Sequence, residues 1–398
     1  MPIAYTPDLP AGAELVIVGG GIAGASTAFH AARAGLRPVI LERRPAVCTF
    51  TTAVAAGGFR LQLDDEEELR LISESVDLFL HFEEATGQRE HGPDVRQQGY
   101  LWATTEKERA EVQRRLVQDQ RRWGLTDVEL LEGDEARRRF PFLGPEVIQA
   151  RFRPGDGLLD PIGLTLGLAA ASGAAVVPRC EVTGLRVEGD RVTAVETSVG
   201  RLSTETAVIA AGPFSGVVAA GAGVDLPVTT VIRQKLVMPE VSAVPPKAPM
   251  TIDDDTGVHW RPSLRGASLL LTDPATPPSD PMEDVPTDAR FAFRLLDPES
   301  PDSAARVVPF WREVWERGSA QWMLQAGQYT ETPDRRPLVG RTAVEGLYVN
   351  AGYAGRGVMG SPAGSRILVD LITGKMSGAE NPYRLDRSFR ERPRLDPL

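Results

Sequence analysis

Apolar and polar positions follow the same order near both ends of the chain. Leu15-Val16-Ile17-Val18 is a short β-branched run, read as a buried strand. It enters Gly19-Gly20-Gly21-Ile22-Ala23-Gly24, and an alanine-rich helix follows to Ala34, where Gly35 stops it. Val39-Ile40-Leu41 is the next strand and ends in Glu42. Strand, glycine turn, helix and strand form a βαβ unit, which implies a parallel sheet. Residues 346–374 repeat that order: strand Leu347-Tyr348-Val349, a glycine-rich turn, then a helix starting at Ser361-Pro362.

Between these ends the pattern is more varied. Residues 64–87 have the spacing of one long amphipathic helix, and the acidic run 64–68 suits its positive N-terminal end. Residues 98–103 are a strand and 106–124 a charged helix with a Leu116, Val117 and Trp123 stripe. Asp160-Pro161 caps a third helix that Gly173 follows. Residues 181–209 alternate as a three-strand meander closing on Val208-Ile209-Ala210-Ala211-Gly212. Residues 239–305 are rich in proline, aspartate and serine and read as irregular loops with short strands. The tail after Asn381 is polar and proline-punctuated, a surface strap or a disordered end.

Composition narrows the function classes. At 398 residues the chain has room for two or three domains and a large core. A net charge of −10 with no long basic run excludes a nucleic-acid binder. No apolar run is long enough to span a membrane, the N-terminus carries no targeting pattern, and the scarcity of cysteine fits a cytoplasmic protein. Cys48 and Cys180 are too few for a disulfide framework, and the four histidines show no metal-ligand spacing. Only four of the 44 basic residues are lysines: Lys107, Lys235, Lys247 and Lys375.

Gly19-x-Gly21-x-x-Gly24 carries the clearest chemistry. The first glycine allows a tight turn, the second lets backbone approach a pyrophosphate, and the third lets helix and strand pack closely. Glu42, 18 residues after Gly24, stands where a carboxylate accepts hydrogen bonds from adenosine ribose hydroxyls. An acid there argues against NADP and leaves NAD and FAD open. Thr51, Thr52, Gly57 and Gly58 are small enough for backbone to lie against a flat ring. Gly352, Gly355 and Gly357 cluster between a strand and a helix, so their amides can hold negative charge.

Over about residues 14–385 the chain resembles the FAD-dependent amine and amino-acid oxidoreductases that include D-amino-acid oxidase, glycine oxidase and sarcosine oxidase, nearest the sarcosine oxidase and dimethylglycine dehydrogenase side. Besides the glycine turn, four segments carry the likeness: 51–60 (TTAVAAGGFR), 155–161 (GDGLLDP), 210–214 (AAGPF), and 329–334 (YTETPD) with 352–359 (GYAGRGVM) and Ser361-Pro362. The resemblance implies an α/β architecture. A Rossmann-like FAD-binding domain would be assembled from 1–90, 150–215 and 325–385. A mixed, mainly antiparallel substrate domain would come from 91–149 and 216–324, with 386–398 a C-terminal tail.

The implied FAD contacts are Gly19, Gly21, Ile22, Ala23 and Gly24, then Glu42 and Arg43, then Thr51, Thr52, Gly57 and Gly58. Val182, Ala211 and Gly212 follow, and Gly352, Gly355, Arg356, Gly357, Val358 and Met359 complete the set. Arg60 ends the small-residue loop at the family's carboxylate-binding place, and a planar guanidinium suits a carboxylate. Arg356, Arg261 and Arg233 are weaker candidates; Arg356 replaces a histidine common in the family, and His259 is the one histidine in a pocket region. Tyr100, Trp102, Trp260, Trp322, Tyr329 and Tyr353 are candidate pocket walls, most of them with a core role instead.

Two departures matter. Gly327 stands where some relatives tether flavin through cysteine, and no histidine lies between 43 and 60, so FAD is expected to be noncovalent. The lysine that promotes oxygen reaction in monomeric sarcosine oxidases would fall near residues 268–271, which hold none, and Met359 replaces a second carboxylate-binding lysine. The acceptor is therefore oxygen or an electron-transfer partner. The implied reaction is oxidation of a C–N bond in a small amino acid or N-alkyl amine, with hydride passing to flavin N5 and an imine as product. The alternatives are an FAD-dependent 2-hydroxy-acid dehydrogenase, with His259 as base, and a non-catalytic flavin-binding subunit or assembly factor.

Overall fold

The computed structural model describes residues 2–318, 321–390 and 395–398. Two large sheets organise them. The first has seven strands in the order Ala4–Tyr5, Ala175–Val177, Pro38–Leu41, Leu15–Val18, Ala207–Ile209, Leu347–Ala351 and Leu338–Arg341. All its pairings are parallel except the last. Its central strands are buried throughout, as expected of strands covered on both faces. Helices Ile22–Arg33, Pro161–Ser172 and Gly357–Ile372 cover one face. The three-strand meander Val182–Glu188, Arg191–Thr197 and Gly200–Ser203 covers the other.

The second sheet is largely antiparallel and has nine strands. Its path runs Pro278–Ser279, Thr229–Met238, Gly266–Leu271, Val258–Ser263, Met250–Asp253, Tyr100–Thr104, Gln149–Arg153 and Glu129–Glu132. Met323–Glu331 pairs along Thr229–Met238 over nine residue pairs. An apolar cluster containing Trp260 and Trp311 backs this sheet.

The structure departs from the sequence reading in five places. The helix expected over 64–87 is two, Glu66–Leu80 and Phe82–Thr86, because the chain leaves helical geometry at His81. Residues 207–209 join the parallel sheet and not the meander, since their three side chains are all buried between helix and sheet layers. The 239–305 segment, read as irregular loops with short strands, contributes four strands of the second sheet, Met250–Asp253, Val258–Ser263, Gly266–Leu271 and Pro278–Ser279, and the helix Arg290–Leu296. The last helix starts at Gly357, so Pro362 is its sixth residue and lacks the N–H that would otherwise reach the Val358 carbonyl. The tail is neither a surface strap nor a loose end: Tyr383, Arg387 and Asp396 are buried. Residues 391–394 of that tail lie outside the described residues.

The tail is held by charge. Arg387 donates through Nε and Nη2 to the Asp334 carboxylate at 2.7 and 2.8 Å. Burial alone would raise the Asp334 pKa, but the Arg387 guanidinium and local N–H donors hold it below the ordinary carboxylate value. Removing one partner of such a pair costs about 3–5 kcal/mol. Arg387→Ala is therefore expected to destabilise the protein strongly at pH 7, measured by denaturant unfolding. The stabilisation belongs to the ionised carboxylate, so the gap from wild type should shrink as pH falls below about 4.

Candidate active site

The cleft between the two sheets is a cavity of about 400 Å³. At one end lies the glycine turn. Gly19 has φ +109°, and a Cβ there would stand 2.5 Å from the Ala210 carbonyl, so only glycine lets the chain pass. A Cβ on Gly24 would overlap the Gly19 carbonyl outright, which seats the helix directly on the turn. Gly24 itself does not line the cavity; Gly19, Gly21, Ile22 and Ala23 do. The Ile22 amide donates to Thr52 Oγ1 at 3.3 Å, tying the helix N-terminus to the small-residue loop.

Glu42 marks the end of the second parallel strand. Its carboxylate accepts the Gly20 amide at 2.7 Å and the Arg44 amide at 2.8 Å. Burial raises its pKa against these N–H donors. Arg43 lies 3.6 Å over the Phe214 ring, and Val182, Ala211 and Gly212 line the same end. This wall continues through Thr51, Thr52, Gly57 and Gly58 to the C-terminal turn, where Gly352, Gly355, Arg356, Gly357, Val358 and Met359 all face the cavity. A polar network fixes that turn: the Asn350 amide donates to Thr27 Oγ1 at 3.0 Å and Ser365 Oγ at 2.8 Å, and Tyr353 Oη donates to Asn350 Oδ1 at 2.6 Å. The path from ribose acceptor to helix N-terminus to a flat, small-residue wall fits the adenosine, pyrophosphate and ring of FAD in turn.

The far end is richer in charge. Arg60 is 2% exposed and pairs with Asp396 at 2.5 Å, while its Nη1 donates to the Gln62 carbonyl. Asp156 positions this stretch by accepting the Leu61 amide at 2.8 Å and Gln62 Nε2 at 3.0 Å. Thus the 155–161 segment serves the loop 51–60 through one buried carboxylate. Arg356 pairs with Glu68 at 2.9 Å and Arg233 with Glu331 at 3.1 Å. Arg261 does not line this cavity and donates weakly to the Pro262 carbonyl at 3.4 Å.

His259 lines the cavity with Nδ1 2.8 Å from the Gly257 carbonyl, so the neutral ring keeps its proton on Nδ1. Burial pulls its pKa down to about 4. Tyr100, Tyr329 and Tyr353 also line the cavity, whereas Trp102 and Trp260 are core and Trp322 is exposed. Arg335 and Leu398 line it too and had no signal in the sequence pattern.

The stretch 268–271 contains no lysine, but one stands beside it. Lys235, on the neighbouring strand, is directly opposite Leu270, and its Nζ donates to the Ala55 carbonyl at 3.3 Å. Burial, with Arg261 nearby, lowers its pKa to about 8. Alignment along the chain could not find it, because antiparallel pairing brings it there from a different strand. Among the described residues no cluster of side chains could hold a metal ion, and no helix is long and apolar enough to cross a membrane.

Glu42→Ala removes the acceptor that organises the adenosine end. FAD affinity, read by titrating apoprotein, is expected to fall at least about tenfold, the equivalent of one charge-assisted hydrogen bond. Acid precipitation of the wild-type protein should leave the flavin in solution, since Gly327 offers no thiol beside Thr51.

Comparison with known proteins agrees with this geometry. The family model of DAO, the FAD dependent oxidoreductases, matches residues 14–371. Human mitochondrial sarcosine dehydrogenase is 26% identical over 97% of this chain, and the match spans 43% of that relative's length. A D-amino acid dehydrogenase of Cereibacter sphaeroides is 27% identical over 96% of this chain and 99% of its own. The crystal structure of L-proline dehydrogenase from P. horikoshii superposes with a TM-score of 0.81 at 25% identity, covering 94% of this chain and 96% of that one. The glycine turn, its ribose-side glutamate and the C-terminal turn thus sit in a chain that belongs to the DAO family of FAD-dependent oxidoreductases.

Proposed function

We propose that the protein oxidises the carbon–nitrogen bond of a small amino acid or N-alkyl amino acid to an imine, which water then hydrolyses. FAD, when bound, accepts the hydrogen and two electrons lost from the carbon beside nitrogen. The residues of the chain then have to orient the substrate, exclude water and leave the amine nitrogen with its lone pair. The observation that carries the reading is the state of His259. A neutral, buried imidazole beside the cavity does not repel an incoming amine, and its pKa of about 4 makes it a weak base. Oxidation of a 2-hydroxy acid needs a base for the hydroxyl proton, and His259 is poorly matched to that task at neutral pH. Tyr100, Tyr329 and Met250 supply an apolar wall for a small substrate. The sarcosine and D-amino acid dehydrogenases among the relatives support the same class. Oxygen or a protein carrier then takes the electrons, and the unpaired, buried Cys48 and Cys180 suit a reducing compartment such as the cytosol.

Mixing the FAD-loaded protein anaerobically with sarcosine, dimethylglycine, glycine, both enantiomers of proline and alanine, glycolate and lactate tests the reaction class. At least one amino acid is expected to bleach the flavin absorption, and neither hydroxy acid should. Bleaching by glycolate or lactate alone would contradict the proposal.

Lys235 yields a separate expectation about the acceptor. Its ammonium stands against the loop 51–58, where positive charge assists electron transfer to oxygen. Reoxidation of the reduced enzyme by oxygen should slow as pH rises through about 8, where this lysine loses its proton. Lys235→Met should be slow at pH 7 and lack that pH dependence. Stopped-flow reoxidation that is unchanged in the variant would assign no such role to Lys235.

A further inference from the structure

Glu283 lies in the connection between the strand Gly266–Leu271 of the second sheet and the helix Arg290–Leu296. That connection is anchored to the second sheet on both sides of Glu283. Pro278–Ser279 pairs with Thr230 and Val231. The buried Gln328 donates through Nε2 to Ser279 Oγ at 2.9 Å and to the Asp280 carbonyl at 2.7 Å, and its Oε1 accepts the Met282 amide at 2.9 Å. Further on, the Asp288 amide donates to Gln234 Oε1 at 2.7 Å. Residues 283–287 are thus the projecting part of a fastened loop, and most of them are exposed.

From there Glu283 reaches across to the first sheet. It meets Arg43 and Arg44, the two residues directly after the ribose-side Glu42. Its carboxylate lies 2.5 Å from Arg43 Nη1 and 3.0 Å from Arg44 Nη2, which also donates to the Glu283 carbonyl at 2.9 Å. Each guanidinium lies in turn on an aromatic ring, Arg43 3.6 Å over Phe214 and Arg44 4.3 Å over Phe50. The two rings stand 6.2 Å apart. Phe50 leads into the small-residue loop, Phe214 ends the 210–214 segment beside Gly19, and both rings and both arginines line the cavity. One carboxylate therefore ties together two cation–π contacts from separate segments of the wall. Glu283 is 55% exposed, so water and salt reach this fastening.

We propose that Glu283 is the latch of a gate for FAD. The Phe50–Phe214 contact closes one wall of the cofactor compartment, and release of Glu283 from Arg43 and Arg44 lets that wall part so that FAD can enter or leave. Glu283 is then a positioning residue that sets how fast the cofactor exchanges, not how tightly it binds. The assignment rests on FAD as the cofactor and is independent of the substrate that is oxidised.

A gate has a kinetic signature, because lowering its barrier speeds entry and exit together and leaves the equilibrium where it was. Protein loaded with FAD is mixed with an excess of isotopically labelled FAD, and mass spectrometry of the bound flavin gives the exit rate. Dilution followed by flavin fluorescence gives Kd, and the exit rate divided by Kd gives the entry rate. Glu283→Gln is expected to raise both rates about fivefold, with Kd within about twofold of wild type, as loss of two exposed ion contacts implies. Raising NaCl from about 0.05 to 1 M should speed exchange in the wild type and much less in Glu283→Gln. Asp284→Asn makes the same change of net charge at the neighbouring exposed residue and should leave both rates at the wild-type values. An exit rate that rises alone, with Kd rising in proportion, would make Glu283 an ordinary binding contact and overturn the gate. So would rates equal to wild type in Glu283→Gln, equal salt acceleration in both proteins, an Asp284→Asn variant that matches Glu283→Gln, or a flavin that exchanges in none of the three.

Discussion

Buried charge is the constraint around which the cleft is built. A guanidinium out of water is costly unless a carboxylate and further acceptors meet it. Arg60, Arg356, Arg336 and Arg387 are all largely buried, and each faces an acid from a distant part of the chain: Asp396, Glu68, Asp65 and Asp334. These pairs join the small-residue loop, the helix Glu66–Leu80, the turn after Met323–Glu331 and the C-terminal tail. The seam between the two sheets is therefore fixed by electrostatic matching as much as by apolar packing.

The two ends of the cleft are made differently. At the FAD end the shape is set by backbone, because glycine at positions 19 and 24 lets strand, turn and helix come within contact distance. At the opposite end the shape is set by side chains from many elements: Tyr100, Met250, His259, Tyr329, Arg335 and the tail residue Leu398. Backbone shape tolerates little change, whereas a wall of side chains can be rebuilt one residue at a time. A family sharing one cofactor can thus differ in what it oxidises.

That difference also explains what was legible in the sequence. The glycine turn, Glu42, the loop 51–60 and the turn 352–359 are local patterns, and the cleft gathers them along one wall. The capped helix Pro161–Ser172 was equally readable, with Asp160 accepting the Ile162 amide and Gly173 closing it at φ +61°. What the sequence did not disclose depends on pairing across the fold. Lys235 reaches Leu270 only through antiparallel register, and the polar composition of the tail concealed the burial of Asp396.

The most direct test of this account of the cleft is a crystal structure of the FAD-bound protein soaked with a small carboxylate such as propanoate. The account predicts the flavin ring against residues 51–58 and the propanoate among Tyr100, Met250, His259 and Tyr329. A ring lying away from residues 51–58, or a propanoate bound outside those four side chains, would contradict it.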